Sequence, residues 1–448
     1  MAEQMKPSGI DGIGDIPIDW VVTPMKYLVD FYNGDRSENY PSRNEFVFDG
    51  IPFINAGHLL NGTLDFENLD YISEEKYKSM GGVKLSKDDI VYCLRGSLGK
   101  NALLNIDNGT VASSLVAIRS RNIYPKYLFY IINSHIEETQ RLLWDNGTAQ
   151  PNLSADNLGK FYICVPPVND QHIIATFLDK QCNRIDGIIS DLEKQIETLQ
   201  KYKKSLILET VTKGLNKNVP MKPSGIDWIG DIPKHWDIKR LKYLLERSDE
   251  KMKVGPFGSM LSGADIVNEG KWVYNQRVVL DDNFNETDSF ITEEKFQEMK
   301  GFIVKGGDLL ITTRGTIGKV AIVPDNPPEG ILHPCIIKFR VNKDLILPEL
   351  VKLIFNESDI VKDQFVFMSN ATTIDVIYSY SLNEIILPVI PMQEQKVIFD
   401  FLSKQCMTTD SILKDKQEQL EKIKQYKKSL IYEYVTGKKR VKEAINGN

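Results

Sequence analysis

The sequence predicts an α+β protein: two mixed α/β domains in tandem, each followed by a long helix, with the two helices paired as an antiparallel coiled coil. Three observations predict it. The chain repeats itself, each half carries short apolar runs punctuated by turn residues, and each half ends in a proline-free stretch with heptad spacing. The implied divisions are 1–167 and 216–391 for the globular domains, and 168–215 and 392–440 for the central and distal helices.

The repeat comes first, because missing one misreads a fold. Residues 5–20 read MKPSGIDGIGDIPIDW and residues 221–236 read MKPSGIDWIGDIPKHW, identical at thirteen of sixteen positions. Met25-Lys26-Tyr27-Leu28 answers Leu241-Lys242-Tyr243-Leu244. Arg95-Gly96-Ser97-Leu98-Gly99-Lys100 answers Arg314-Gly315-Thr316-Ile317-Gly318-Lys319. Pro167 and Gln171 answer Pro391 and Gln395, and Tyr202-Lys203-Lys204-Ser205-Leu206-Ile207 answers Tyr426-Lys427-Lys428-Ser429-Leu430-Ile431. Between these anchors the halves differ widely. A period of this length describes tandem domains, not a solenoid.

Strands are predicted where apolar runs such as 90–94 and 309–312 sit between Gly, Asn and Asp. Val165-Pro166-Pro167 and Pro388-Val389-Ile390-Pro391 then stop the globular part. The stretch that follows carries Leu178, Ile185, Leu192, Leu199 and Leu206, each seven apart, with Ala175, Cys182, Ile189 and Ile196 as companions. This is a coiled-coil seam. The second copy keeps Leu402, Cys406, Leu413, Leu420, Ile423 and Leu430, with Thr409 and Lys416 as interruptions. A stripe this long needs a partner. The other copy is the nearest, and a second helix returning along the first makes the pair antiparallel. Cys182 and Cys406 then fall near opposite ends, so no disulfide is expected between them.

Composition narrows the function. An apolar share of 42% and a charged share of 26% are ordinary for a globular protein. No uncharged apolar run of about 18 residues occurs, and 1–7 lack a signal-peptide pattern, so a cytoplasmic protein without membrane contact is expected. The five cysteines form no CxxC pair, and the five histidines show no paired ligand spacing, so no metal is expected. A net charge of −6 argues against coating nucleic acid by bulk charge; any DNA contact must rest on local positive charge or on partners.

Several motifs invite chemistry. Arg-Gly-x-x-Gly-Lys is not a phosphate loop, because Leu94 and Thr313 stand where its first glycine belongs. It reads either as a turn whose glycines take positive φ or as a DNA-facing loop with Arg95, Lys100, Arg314 and Lys319 near phosphates or bases. Glu74 and Glu293 with nearby Asp70 and Asp288 suggest a nuclease only faintly; Ser73 and Thr292 read better as helix caps. Asp325-Asn326-Pro327-Pro328-Glu329 lacks the aromatic that stacks a flipped base, so a turn is expected. Trp20 and Trp236 read as core anchors. Arg36, Arg43, Asn55, His58, Thr148 and Gln150 in one half, and Gln276, Arg277, His333 and Thr372 in the other, lie in polar loops. Arg, Asn and Gln are the side chains that read base edges bidentately, and solvated loop positions are the plainer reading of each.

Taken in order, the duplicated Gly-Asp-Ile-Pro-x-x-Trp opening, the segment Gly255-Pro256-Phe257-Gly258-Ser259, the Arg-Gly-x-x-Gly turn and the Pro-x-x-x-Gln start of a helix ending in Tyr-Lys-Lys-Ser-Leu-Ile carry a resemblance. Over nearly its whole length the chain resembles the specificity subunit of a type I restriction–modification enzyme. The resemblance implies a non-catalytic protein with one target-recognition domain per half, each reading one part of a split double-stranded DNA site, and Ser259 on a DNA-facing loop. It implies helices that set the gap between the parts and carry two modification subunits, with restriction subunits joining them. S-adenosylmethionine, ATP and Mg2+ would then belong to those partners and none to this chain. The first half lacks a Gly-Pro-Phe-Gly-Ser counterpart near Asn33-Gly34-Asp35. Two other readings remain from the residues alone: a coiled-coil adaptor without DNA specificity, and a self-contained DNA methyltransferase.

Overall fold

In a computed structural model the described residues are 4–35, 40–144, 152–226, 229–257, 260–369 and 376–441. They form the α+β arrangement that the sequence predicts. The first half is built on a four-stranded antiparallel sheet of β1 (Val29–Asn33), β2 (Ile90–Cys93), β3 (Asn101–Leu103) and β4 (Leu115–Ser120), in the order β3-β2-β4-β1. The second half repeats it with β5 (Met252–Val254), β6 (Leu309–Thr312), β7 (Val320–Ile322) and β8 (Ile336–Phe339), in the order β7-β6-β8-β5. Strands β2 and β6 are the punctuated apolar runs, and every residue in them is buried. Both faces are covered, which is why their sequences do not alternate. A smaller sheet in each half contains one parallel pair, Ile51–Ile54 with Thr110–Val111 and Lys271–Tyr274 with Gly330–Leu332.

Two long helices follow, α1 (Val168–Lys213) of 46 residues and α2 (Met392–Val435) of 44. Each starts with the predicted glutamine doing a structural task. Gln171 is buried, accepts from Tyr124 N at 2.8 Å and donates to Pro166 O at 2.9 Å. Gln395 is buried, accepts from Leu347 N at 2.8 Å and donates to Ile390 O at 2.7 Å and Leu345 O at 2.8 Å. Each amide thus satisfies linker backbone that would otherwise be buried without partners.

The chain divides into two compact units, one holding Met1–Glu193 with Glu418–Asn448, the other Lys194–Gln417. Each unit therefore contains the start of one long helix and the end of the other. In the first, Leu430, Ile431 and Val435 of α2 join Ile13, Trp20, Leu178, Cys182 and Ile185 in one core. The buried Tyr127 hydroxyl donates to Val435 O at 3.0 Å. In the second, Ile207 and Val211 of α1 join Trp236, Ile398, Leu402 and Cys406. The five cysteines are free, with Cys182 and Cys406 in different cores.

The helices run antiparallel in both units. Asp186 meets Lys427 at 2.6 Å and Glu193 meets Lys424 at 3.1 Å in the first; Lys203 meets Asp410 at 2.7 Å and Gln195 meets Lys416 at 2.6 Å in the second. Leu178, Ile185, Leu402 and Leu430 are buried, while Leu192, Leu199, Leu413, Leu420 and Ile423 are half-buried. At the end of α1 the buried position is Ile207, and Leu206 is only half-buried. A straight helix drifts about 20° per heptad, so four heptads after Leu178 the buried face has turned by nearly one residue. Lys203 is buried on this seam. Burial opposes its charge, but the hydrogen bonds it donates to the Asp410 and Glu357 carboxylates hold its pKa above the usual value.

Candidate nucleic-acid interface

The site is built from the turn that leaves β2 and β6. Gly96 and Gly99 take φ of 75° and 85°, and Gly315 and Gly318 take 65° and 81°, conformations that cost a side chain dearly. The turn thus holds Arg95 and Arg314 exposed at its start, and neither makes an ion pair with a described residue. Lys100 and Lys319 are half-buried and tied to carbonyls, Ala56 O at 2.9 Å and Asn356 O at 3.0 Å. Of the four basic candidates here, the two arginines are exposed and the two lysines brace the turn.

Asn55 and Asn275 cap the short helices that lie against the turn. Asn55 Oδ1 accepts from Gly57 N at 2.7 Å and its Nδ2 donates to Asp70 at 3.1 Å. Asn275 Oδ1 accepts from Val278 N at 3.2 Å and its Nδ2 donates to Asp288 at 2.7 Å. His58 is buried beside this cap, with Nδ1 accepting from Asn55 N at 3.2 Å and Nε2 3.5 Å from Asp70. Gln276 reaches back to the turn and donates to Arg314 O at 2.7 Å and Thr316 O at 3.3 Å. Arg277 is exposed, 3.5 Å from Asp281 and 3.6 Å from Asp288. Arg43 is exposed on a short helical turn closed by Ser42 and Glu45. His333 is half-buried; its Nδ1 accepts from Cys335 N at 3.1 Å, and burial pushes its pKa down. Arg36, Thr148, Gln150, Ser259 and Thr372 lie outside the described residues.

Sequence reasoning missed the support beneath the turn. In the first unit the Tyr92 hydroxyl donates to Glu137 Oε1 at 2.5 Å, and Arg141 Nε donates to the same oxygen at 2.9 Å. Burial raises the Glu137 pKa against both of these bonds. A Cβ on Gly99 would meet Arg141 Nε at 3.0 Å, so this cluster packs directly on the turn. The corresponding residues of the second unit are Ile311, Val361 and Phe365, all in its apolar core. An asparagine serves both units: Asn133 Nδ2 donates to Asn101 Oδ1 at 2.9 Å, and Asn356 pairs with the Val320 backbone at 2.8 Å both ways. Its repetition in the two halves was the available signal.

The structure also supplies the counterpart that the first half lacked. A side chain on Gly255 would collide with His333 O, and one on Gly34 with Val111 O and Ala112 O. Gly255 N donates to Ile336 O at 2.8 Å, and Gly34 N contacts Leu115 O at 3.5 Å. The backbone requirement is shared although the motif around it is not.

The weaker motifs resolve as turns and caps. Ser73 Oγ accepts from Lys76 N at 3.1 Å and Thr292 Oγ1 from Lys295 N at 3.2 Å. Pro328 O accepts from the Tyr274 hydroxyl at 2.6 Å. Among the described residues no cluster of His, Cys, Asp and Glu could hold a metal ion, and no helix is long and apolar enough to cross a membrane.

Each half thus carries one copy of a shared scaffold with a glycine-held arginine turn. The family described as type I restriction modification DNA specificity domain matches residues 17–198 and 234–422. A putative type I restriction enzyme MjaX specificity subunit from Methanocaldococcus jannaschii is 24% identical, with 96% of each chain covered. The EcoKI specificity subunit of Escherichia coli is 20% identical over 77% of this chain and 72% of its own. A chain solved in work on assembly and conformational transition of the type I R-M system shares the fold, with a TM-score of 0.64 at 14% identity over 94% of this chain and 99% of that one. The chain belongs to this family of type I restriction–modification specificity subunits, the DNA-recognising and non-catalytic components of such enzymes.

Proposed function

We propose that the chain recognises a bipartite, asymmetric double-stranded DNA target, one part per half, and directs methyltransferase and restriction subunits to it. The observation that carries this is the contrast between shared scaffold and unshared side chains. Both units hold the same strand order and the same arginine turn, yet Ala56-Gly57-His58 stands against it in one and Gln276-Arg277-Val278 in the other. Unlike surfaces on like frames read unlike sequences. Arg36, Arg43, Asn55, His58, Arg95, Lys100, Thr148 and Gln150 are the first half's DNA-binding candidates, and Ser259, Gln276, Arg277, Arg314, Lys319, His333 and Thr372 the second's. Exposed Arg95 and Arg314 are the base or phosphate contacts; the capped and buried members shape the loops that present them. Requiring both parts at once multiplies discrimination, since each mismatched pair costs about 1–3 kcal/mol.

On this reading the paired helices set the separation and carry two modification subunits. S-adenosylmethionine, ATP and Mg2+ belong to the modification and restriction subunits, and the complex works in the cytoplasm. A genome-wide map of methylated adenines, with and without this gene, tests it. The expected result is a split, asymmetric motif that vanishes with the gene, and exchange of residues 28–165 for those of a relative should change one half of that motif. An unchanged map in cells expressing the partner methyltransferase would favour an adaptor without DNA specificity. Methyl transfer by the purified chain alone would favour a self-contained enzyme.

A further inference from the structure

Beside each arginine turn the backbone makes one more cross-strand contact, identical in the two halves, and the side chain that follows it differs sharply. Arg314 lies opposite Val376 in an isolated antiparallel bridge, and Ile377 N donates to Thr313 O at 2.9 Å. Arg95 lies opposite Asn152 in the same way, and Leu153 N donates to Leu94 O at 2.9 Å. Residues directly opposite in such a pair share a face, and along an extended segment the faces alternate. Burial follows that alternation: Ile377 and Leu153 are buried, while Tyr378 and Ser154 are exposed. Both Tyr378 and Ser154 have extended backbones. Tyr378 therefore emerges on the face that carries Arg314, and Ser154 on the face that carries Arg95.

Ser154 has a structural task. Its hydroxyl caps the short helix Ala155–Leu158 and accepts from Asn157 N at 3.0 Å. Tyr378 stands at the matching N-cap of the helix Ser379–Glu384 and makes no side-chain cap bond. A serine there would stabilise the helix, so the fold gains nothing from the tyrosine. Its ring is 52% exposed and lies against that of Tyr380, which is 67% exposed. The two rings are stacked, with centres 5.4 Å apart and planes 11° apart. The first half has Asp156 where Tyr380 stands. A lost cap and two rings left in water break a local rule of stability, which is characteristic of a functional position. Flat aromatic side chains are surfaces on which any nucleobase can stack, and exposed apolar ones act as wedges that part base steps.

We propose that Tyr378 and Tyr380 form an aromatic platform on which a base of the second half-site stacks, parting the duplex there, and that the first half-site is read without one. The inference rests on the reading above, in which Arg314 faces DNA. It adds a distortion that only one half of the target must tolerate. Steps that unstack easily, such as TA and CA, are then favoured beside the contacts of the second half.

The test uses the full chain assembled with its cognate methyltransferase subunits, on duplexes in which 2-aminopurine replaces one base at a time across both half-sites. The fluorescence of this base reports its stacking. At a position in the second half-site the signal should differ between wild type and Tyr378→Ser/Tyr380→Asn, and at no position in the first. That variant should also bind the target about tenfold more weakly, with preference relaxed in the second half-site alone. It gains a helix cap and adds no charge, so thermal unfolding should be unchanged or raised, which guards against a folding defect. Tyr378→Phe/Tyr380→Phe should keep both the signal and the affinity, because stacking needs the rings and not the hydroxyls. Unchanged fluorescence and binding in the Ser/Asn variant would overturn the inference and leave the proposed function standing. So would a Phe variant as weak as the Ser/Asn one, which would mark hydroxyl contacts to phosphate. Loss of a methyltransferase copy in native mass spectrometry would do the same, marking a protein contact. Wild type that prefers no split target would overturn the proposed function and this inference together.

Discussion

Beneath the first arginine turn lie a tyrosine, a glutamate and an arginine; the matching positions of the second half carry an isoleucine, a valine and a phenylalanine. Both halves hold the same glycine turn with an arginine at its start. One has charge-assisted hydrogen bonds within a buried cluster there, the other apolar side chains of its core. The lesson is that the frame constrains volume and backbone satisfaction, not chemistry. The two supports should therefore fail differently, and that difference can be measured.

The largest expected effect is at the apolar positions. Phe365→Ala should destabilise the second unit by about 3–5 kcal/mol, through lost burial and the cavity left behind. Arg141→Ala, its counterpart, should cost about 1.5–3 kcal/mol, because a charge-assisted bond is lost while Glu137 keeps Tyr92. Denaturant unfolding followed separately in each half checks both, and equal losses would erase the distinction.

Next come the arginines. Arg314→Ala should cost about 1–3 kcal/mol of target binding and relax preference in the second half-site alone, with Arg95→Ala doing the same in the first. Binding to a library randomised in either half measures this, and relaxation in both halves at once would contradict the modular reading.

The braces should matter less. Gln276→Ala removes two neutral hydrogen bonds to the turn, so it should lower affinity by about 1 kcal/mol with base preference intact. A shift in the preferred base would show that Gln276 reads DNA itself.

The smallest effect is one of pH. Burial raises the Glu137 pKa in the folded chain, so the folded state holds the proton more tightly than the unfolded one. That preference is fully present below the ordinary glutamate range and is lost as pH rises through the folded value. The first unit should therefore lose stability as pH climbs out of that range, and Glu137→Gln should flatten the slope. The second unit has Val361 in this place and should show no such slope.

Some of this architecture is legible without coordinates. Repetition reveals two domains, because each copy must rebuild the same core. Heptad spacing reveals the helices, because one apolar face recurs along them, and glycine pairs reveal the turns, because only glycine takes positive φ without cost. The fold class, the paired helices and the arginine turn follow from such local rules. Tertiary structure decided what depends on distant neighbours. Leu206 yields the buried face to Ile207 because helical drift accumulates over four heptads. Lys100 and Lys319 are spent on carbonyls that sequence spacing does not place. Gly34 proves equivalent to Gly255 because each passes over a backbone carbonyl far along the chain. Glu137 and Arg141 acquire their role only when a helix packs beneath a turn some forty residues earlier. Periodicity is written in neighbouring residues, whereas a contact is a property of two segments brought together by folding.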